Sequence, residues 1–146
     1  MDKIEVQKRV LLWGKPLLLK LFDWDEKTKT FISNMDRLVI DFRQVDDCTF
    51  HLAKNCTLIC GSNCNIESGN MCVFDVGEKC KFKTKGFCIF VIWLNCTFEK
   101  IGEGCIAVRR GRINDTFKLE EGEDIILDEN SLDGISLYTG DGYSPD

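Results

Sequence analysis

The chain has 146 residues, 44% of them hydrophobic and 29% charged, which is the composition of one globular domain. A disordered chain would be poorer in apolar residues, and no apolar run reaches the roughly 18 residues of a membrane-spanning helix. Its formal net charge of −5 is unevenly divided. Residues 115–146 carry ten acids against Lys118 alone, whereas residues 1–114 carry 14 acids against 18 bases. Such an acidic quarter repels nucleic-acid phosphates and suits a basic protein surface. With one histidine in the chain, chemistry that needs two or three imidazoles is excluded.

Residues 1–39 read as an N-terminal cap. The opening Met1-Asp2-Lys3-Ile4-Glu5 places acids ahead of the first apolar stretch, unlike a signal peptide, so a cytoplasmic protein with reduced thiols is expected. Residues 2–13 fit a short helix, although Ile4, Val6, Val10, Leu11 and Trp13 do not choose one period. Leu17 to Trp24 and Thr28 to Ile32, joined at Asp25-Glu26-Lys27, read as a β-hairpin.

From residue 40 to 112 the chain repeats. Cysteines stand at 48, 56, 64, 72, 80, 88, 96 and 105, a period of eight with one insertion, and only Cys60 is off the series. Two positions after each comes an apolar residue: Phe50, Leu58, Ile66, Phe74, Phe82, Phe90, Phe98 and Ala107. Alternation within each octad predicts a short strand. Gly61, Gly69 and Gly77 follow where a sharp corner would use positive φ. A fixed short period predicts a repeat architecture, here an all-β solenoid of stacked octads with an inward cysteine column beside a phenylalanine column. Two or three octads per coil satisfy the pattern equally.

Val76-Gly77-Glu78-Lys79-Cys80-Lys81 and Ile101-Gly102-Glu103-Gly104-Cys105-Ile106 resemble the units of hexapeptide left-handed β-helices, with a period of eight in place of six. The Asn-Cys-Thr runs at 55–57 and 95–97 are similar to Cys-x-Phe octad arrays of bacteriophages and some bacteria. Over residues 40–111 this resemblance implies a solenoid and a viral origin, and no reaction.

One octad is apolar throughout. If Cys88, Phe90 and Ile92 point inward, Phe87, Ile89, Val91 and Trp93 point outward, as either a partner surface or a strip covered by the chain itself. Lys81, Lys83 and Lys85 share one side of a neighbouring strand. Residues 113–146 form an acidic C-terminal coil or cap, in which Phe117, Leu119, Ile125 and Leu127 resume an eight-residue spacing.

Candidate chemistry is sparse. A zinc set of Cys56, Cys60 and Cys64 is set aside, because the period and strand alternation account for all three. His51 lies in the outward phase of its strand, away from Cys48, which makes a poor Cys–His pair. Residues 128–134 superficially resemble a calcium loop but lack the closing glutamate. The expectation is a non-enzymatic protein-interaction module without cofactor, phage-encoded, that binds and inhibits a host protein. Phe87, Ile89, Val91 and Trp93 would give affinity, and Glu120, Glu121, Glu123 and Asp124 would imitate nucleic-acid charge. The alternative is a self-assembling structural or virion component, including a homodimer. The hexapeptide resemblance implies a third reading, an acyltransferase with His51 as base.

Overall fold

The computed structural model describes residues 1–93, 95–110, 112–128 and 135–138, with only the backbone described for 112–115 and 135–138. Helix α1 (Lys3–Gln7) is followed by strands β1 (Val10–Leu12) and β2 (Lys15–Pro16) and by a 3-10 turn at Leu19–Leu21. Strands β3 (Asp23–Asp25), β4 (Thr30–Ile32) and β5 (Leu38–Phe42) lead into the cysteine series. There each octad supplies one strand: β6 (Thr49–His51), β7 (Thr57–Cys60), β8 (Asn65–Ser68), β9 (Val73–Asp75), β10 (Lys81–Thr84), β11 (Ile89–Ile92), β12 (Cys96–Phe98) and β13 (Ile106–Arg109). Strands β14 (Arg112–Leu119), β15 (Ile125–Leu127) and β16 (Ile135–Tyr138) complete the described chain.

The chain is an all-β solenoid, as the octad period predicts, and two octads make one coil. Thr57 pairs with Val73 and Val73 with Ile89 in one sheet, while Thr49 pairs with Asn65 and Asn65 with Lys81 in the other, each a step of 16 residues. Alternate strands therefore belong to opposite sheets. A nine-stranded sheet contains the parallel run β5-β7-β9-β11-β13, and a seven-stranded sheet contains β4-β6-β8-β10-β12. Parallel stacking starts at β4, upstream of the cysteine series.

The corners explain the period. The residue before each ladder cysteine sits in the left-handed region: Asn55, Asn63, Met71, Lys79, Phe87 and Asn95 have φ between 58 and 67°, and Gly104 has φ 72°. One such residue between two extended segments redirects the chain without a long loop. The glycines do something else. Gly61, Gly69 and Gly77 are absent from the positive-φ positions, contrary to the sequence expectation. They are small because successive corners touch: a Cβ on Gly77 would lie 2.9 Å from the Gly61 and Ser62 backbone, and one on Gly61 2.8 Å from the Val45 carbonyl oxygen.

Inside, the two sheets interdigitate. Phe74 stacks on Phe90 and Phe82 on Phe98, each at 5.2 Å between ring centroids, and Phe82 meets Phe90 edge-on at 4.7 Å. Each buried phenylalanine contributes about 1.5–3 kcal/mol relative to exposure. All nine cysteines are free and buried, and the thiols also serve the corners. Cys72 Sγ lies 3.3 Å from the Ala53 carbonyl oxygen and 3.7 Å from that of Asn70, so its S–H reaches the corner of the coil before as well as its own. Cys64, Cys80, Cys88 and Cys96 likewise reach carbonyls 19 residues back.

Both ends close by reversing strand direction. At the start, β1 lies antiparallel on β5 and β2 on β1, while β3 lies antiparallel on β4. The β3–β4 pair is the expected hairpin in shortened form. Helix α1 and β1 divide residues 2–13 between them, which is why no single period fits that stretch. Asp2 and Glu5 cap the helix reciprocally, and the Trp24 indole donates to the Met1 carbonyl at 2.9 Å. At the other end β14 runs antiparallel to β13, and β15 to β12. Phe117, Leu119, Ile125 and Leu127 are buried there, but on reversed strands rather than on a further parallel coil.

Candidate functional site

The two outer faces of the solenoid differ in chemistry. On the seven-stranded sheet the outward columns are Thr49, Asn65, Lys81 and Thr97, then His51, Glu67, Lys83 and Glu99. His51 Nδ1 stands 3.0 Å from Glu67 Oε2, and these residues line a shallow groove. Outward Lys81 and Lys83 agree with the sequence reading. So does His51, which points away from Cys48.

The nine-stranded sheet presents Val39, Thr57, Val73, Ile89 and Ile106 in one outward column. Asp41, Ile59, Asp75, Val91 and Val108 form the next. Val39 is 45% exposed, and Val73 and Ile89 are each 39% exposed. Of the residues picked out from the sequence, Ile89 and Val91 lie on this face, Val91 half-buried. Phe87 and Trp93 occupy the corners at either end of β11, so the four residues cross the face rather than forming one cluster.

Each corner residue has its own setting. Phe87 is exposed with φ 59°, and its ring covers Gly104, where a Cβ would come within 2.5 Å of the ring. Trp93 lies under the Arg110 guanidinium, 5.7 Å from its ring centroid. Arg110 also pairs with Asp75 and donates to the Val76 carbonyl at 3.1 Å. Cation, indole and carboxylate thus form one fixed group at the edge of the apolar face.

Glu120, Glu121, Glu123 and Asp124 are all exposed in the connection between β14 and β15. Glu121 borders the same hollow as Phe87, Lys100 and Glu103. Asp124 is committed to the fold: its Oδ1 accepts the Lys100 amide at 3.2 Å, steadying a residue with φ 42°. The calcium-like stretch beyond Asp128 and the acids at 129, 133, 141 and 146 lie outside the described residues.

The thiols form two columns, one of Cys48, Cys64, Cys80 and Cys96, the other of Cys56, Cys72, Cys88 and Cys105. Cys60, at the end of β7, turns toward the first column, and the Sγ atoms of Cys60, Cys64 and Cys80 lie within 4.8 Å of one another. Cys56 immediately precedes the same strand and stands on the opposite edge, so the set Cys56, Cys60 and Cys64 is not brought together. The neighbouring thiols of Cys48, Cys60 and Cys80 hold the Cys64 sulfur well below the usual thiol range, while Cys60, Cys64 and Cys96 together with burial push Cys80 far up. On the other edge the Cys88 thiol and the Cys88 and Phe87 amides pull Cys105 down to about 7, against the opposing effect of burial. Cys105 is fully buried, which keeps reagents from it.

The apolar face was present in the sequence as an alternation of period 16. Octads that begin at 56, 72, 88 and 105 carry Thr, Val, Ile and Ile just after the cysteine, whereas those at 48, 64, 80 and 96 carry Thr, Asn, Lys and Thr. That alternation also marks two octads per coil. Among the described residues, no helix is long and apolar enough to cross a membrane. No family model, curated protein or solved structure matches the chain.

Proposed function

We propose that the chain is a non-enzymatic interaction module that binds another protein through the outer face of its nine-stranded sheet. The observation that carries this reading is the exposed column of Val39, Val73 and Ile89, set against polar columns on the middle strands of the other sheet, whose exposed aliphatic residues Ile32 and Ile126 stand at its two ends. A face meant only for water gains nothing from aliphatic residues, and contiguous exposed apolar surface marks interfaces. Trp93 and Arg110 at its edge are of the residue types that dominate binding energy. Phe87 supports the reading as well, since it adds an exposed aromatic ring at the corner beside this face. Exposed Glu120, Glu121 and Glu123 form an acidic flank that favours a partner with a basic rim. The similarity to phage octad arrays makes a bacterial host protein the class of partner to test first.

The test compares the parent with a Val73→Lys, Ile89→Lys double variant in capture from bacterial lysate, with absolute masses from light scattering. The parent is expected to emerge with a stoichiometric partner. The double variant should lose it while keeping its circular dichroism and melting temperature. Lys81→Glu with Lys83→Glu, on the opposite face, should change nothing. Replacing Glu120, Glu121 and Glu123 with Gln should weaken capture, with Asp124 left alone because it caps Lys100. Capture that survives the double variant would overturn the reading. The second reading, a homodimer, is favoured by the same flat face. It predicts a parent of twice the monomer mass that becomes monomeric on Val73→Lys, Ile89→Lys.

A further inference from the structure

We propose that Cys60, Cys64 and Cys80 form a three-thiolate site for a soft monovalent cation, Cu(I), at the corner between β7 and β8. The first observation is geometric. The three Sγ atoms lie within 4.8 Å of one another, and all three residues are buried. With metal–sulfur bonds of about 2.3 Å, a trigonal site needs sulfurs roughly 4.0 Å apart. A contraction of under about 1 Å therefore completes it.

The second observation is the identity of Cys60. Pairing of β5, β7, β9 and β11 aligns it with Phe42, Val76 and Ile92, all large apolar residues. The repeat asks for bulk at this position, and a thiol supplies less of it. What a cysteine adds here is a third sulfur beside a ladder pair, found at one corner only among the described residues.

The third observation is access. Cys60 is 5% exposed and borders an open groove with Gly61, Val76, Gly77, Trp93 and Arg110, whereas Cys64 and Cys80 are 1% and 0% exposed. An ion can enter past Cys60 and meet the other two sulfurs behind it. Soft thiolates select Cu(I) over the harder divalent ions, and three mutually close sulfurs, with the Cys48 and Cys96 thiols outside that triangle, suit a three-coordinate ion better than tetrahedral Zn²⁺. On binding, three Cu–S bonds form, and the proton of each S–H bond that breaks leaves for water. No electron is transferred, and affinity rises with pH.

The experiment is anaerobic titration of the reduced full chain with Cu(I), held against bicinchoninate as competing chelator. One equivalent should be retained, with a thiolate-to-copper charge-transfer band in the near ultraviolet and a three-sulfur shell by X-ray absorption. Cys60→Val, which installs the residue of the next coil, should keep the fold and lower affinity at least 100-fold. Cys60→Ala serves the same purpose if Val overpacks. Cys88→Ser, on the opposite column, should leave binding unchanged. Failure to retain Cu(I), undiminished binding by Cys60→Val or Cys60→Ala, loss on Cys88→Ser, or tighter binding of Zn²⁺ than of Cu(I) would each overturn the proposal.

Discussion

A cysteine every eight residues is an expensive choice if all the fold needs is a small apolar group, since alanine would give one without redox liability. The structure supplies the reason. Each corner leaves carbonyl oxygens facing the interior, and a weak S–H donor placed between two coils serves both. Cys72 makes the test case, being fully buried. Cys72→Asp puts an unpaired charge into the column and should cost about 3–5 kcal/mol or prevent folding. Cys72→Ser keeps a donor but swaps a polarizable sulfur for a more strongly solvated hydroxyl, and about 1–2 kcal/mol is expected. Urea denaturation in reductant measures both. An Asp variant as stable as the parent would mean the column is wet rather than packed.

At the scale of the element, the octad is a strand of three to five residues and a corner, and its parts were unequally legible. Which residues point inward was readable, because Cys48 and Phe50, or Cys80 and Phe82, obey one period together. Pairing between coils was not, because each octad looks alike from inside and only the outward residues distinguish the two sheets. The single octad 87–94 therefore shows only part of the apolar face, whose columns run on through Val73 and through Val39 at the end of the segment that the sequence marks as a cap. The corners misled for a physical reason. Glycine is small as well as conformationally free, and a sequence does not say which property is in use. Gly77→Ala separates them. A free-φ role with open space around it, as at Gly14 with φ 75°, would cost about 1 kcal/mol. Backbone 2.9 Å from the new methyl group instead forces two coils apart, for which about 1–3 kcal/mol is expected. A melting temperature for Gly77→Ala equal to the parent's would show that the stacked corners have slack.

The molecule as a whole is a short parallel stack flanked at both ends by antiparallel strands. The stack also puts nine thiols into one interior, which gives it a pH response of definite sign. Neighbouring thiols and burial raise Cys48, Cys56, Cys60, Cys72, Cys80 and Cys88 above the ordinary thiol value of 9.0. A group whose folded value is raised stabilises fully below its unfolded value, and that stability drains away as the pH climbs beyond it. Above about pH 9 the unfolded chain gives up thiol protons that the folded chain keeps. Each such thiol then removes up to about 1.4 kcal/mol per pH unit. Cys105, lowered to about 7, acts in the opposite sense: its contribution grows between pH 7 and 9, is complete above 9 and is lost as the pH falls through 7. Cys64 and Cys96 are lowered as well and act in the same sense as Cys105, but three groups whose contribution is complete by about pH 9 cannot offset six losing beyond it. Urea midpoints in reductant should therefore rise from pH 7.5 to 8.5 and drop steeply by pH 10. A midpoint that stays level to pH 10 would mean that the thiols ionise as readily in the folded chain as in the unfolded one, which an interior column of this kind does not permit.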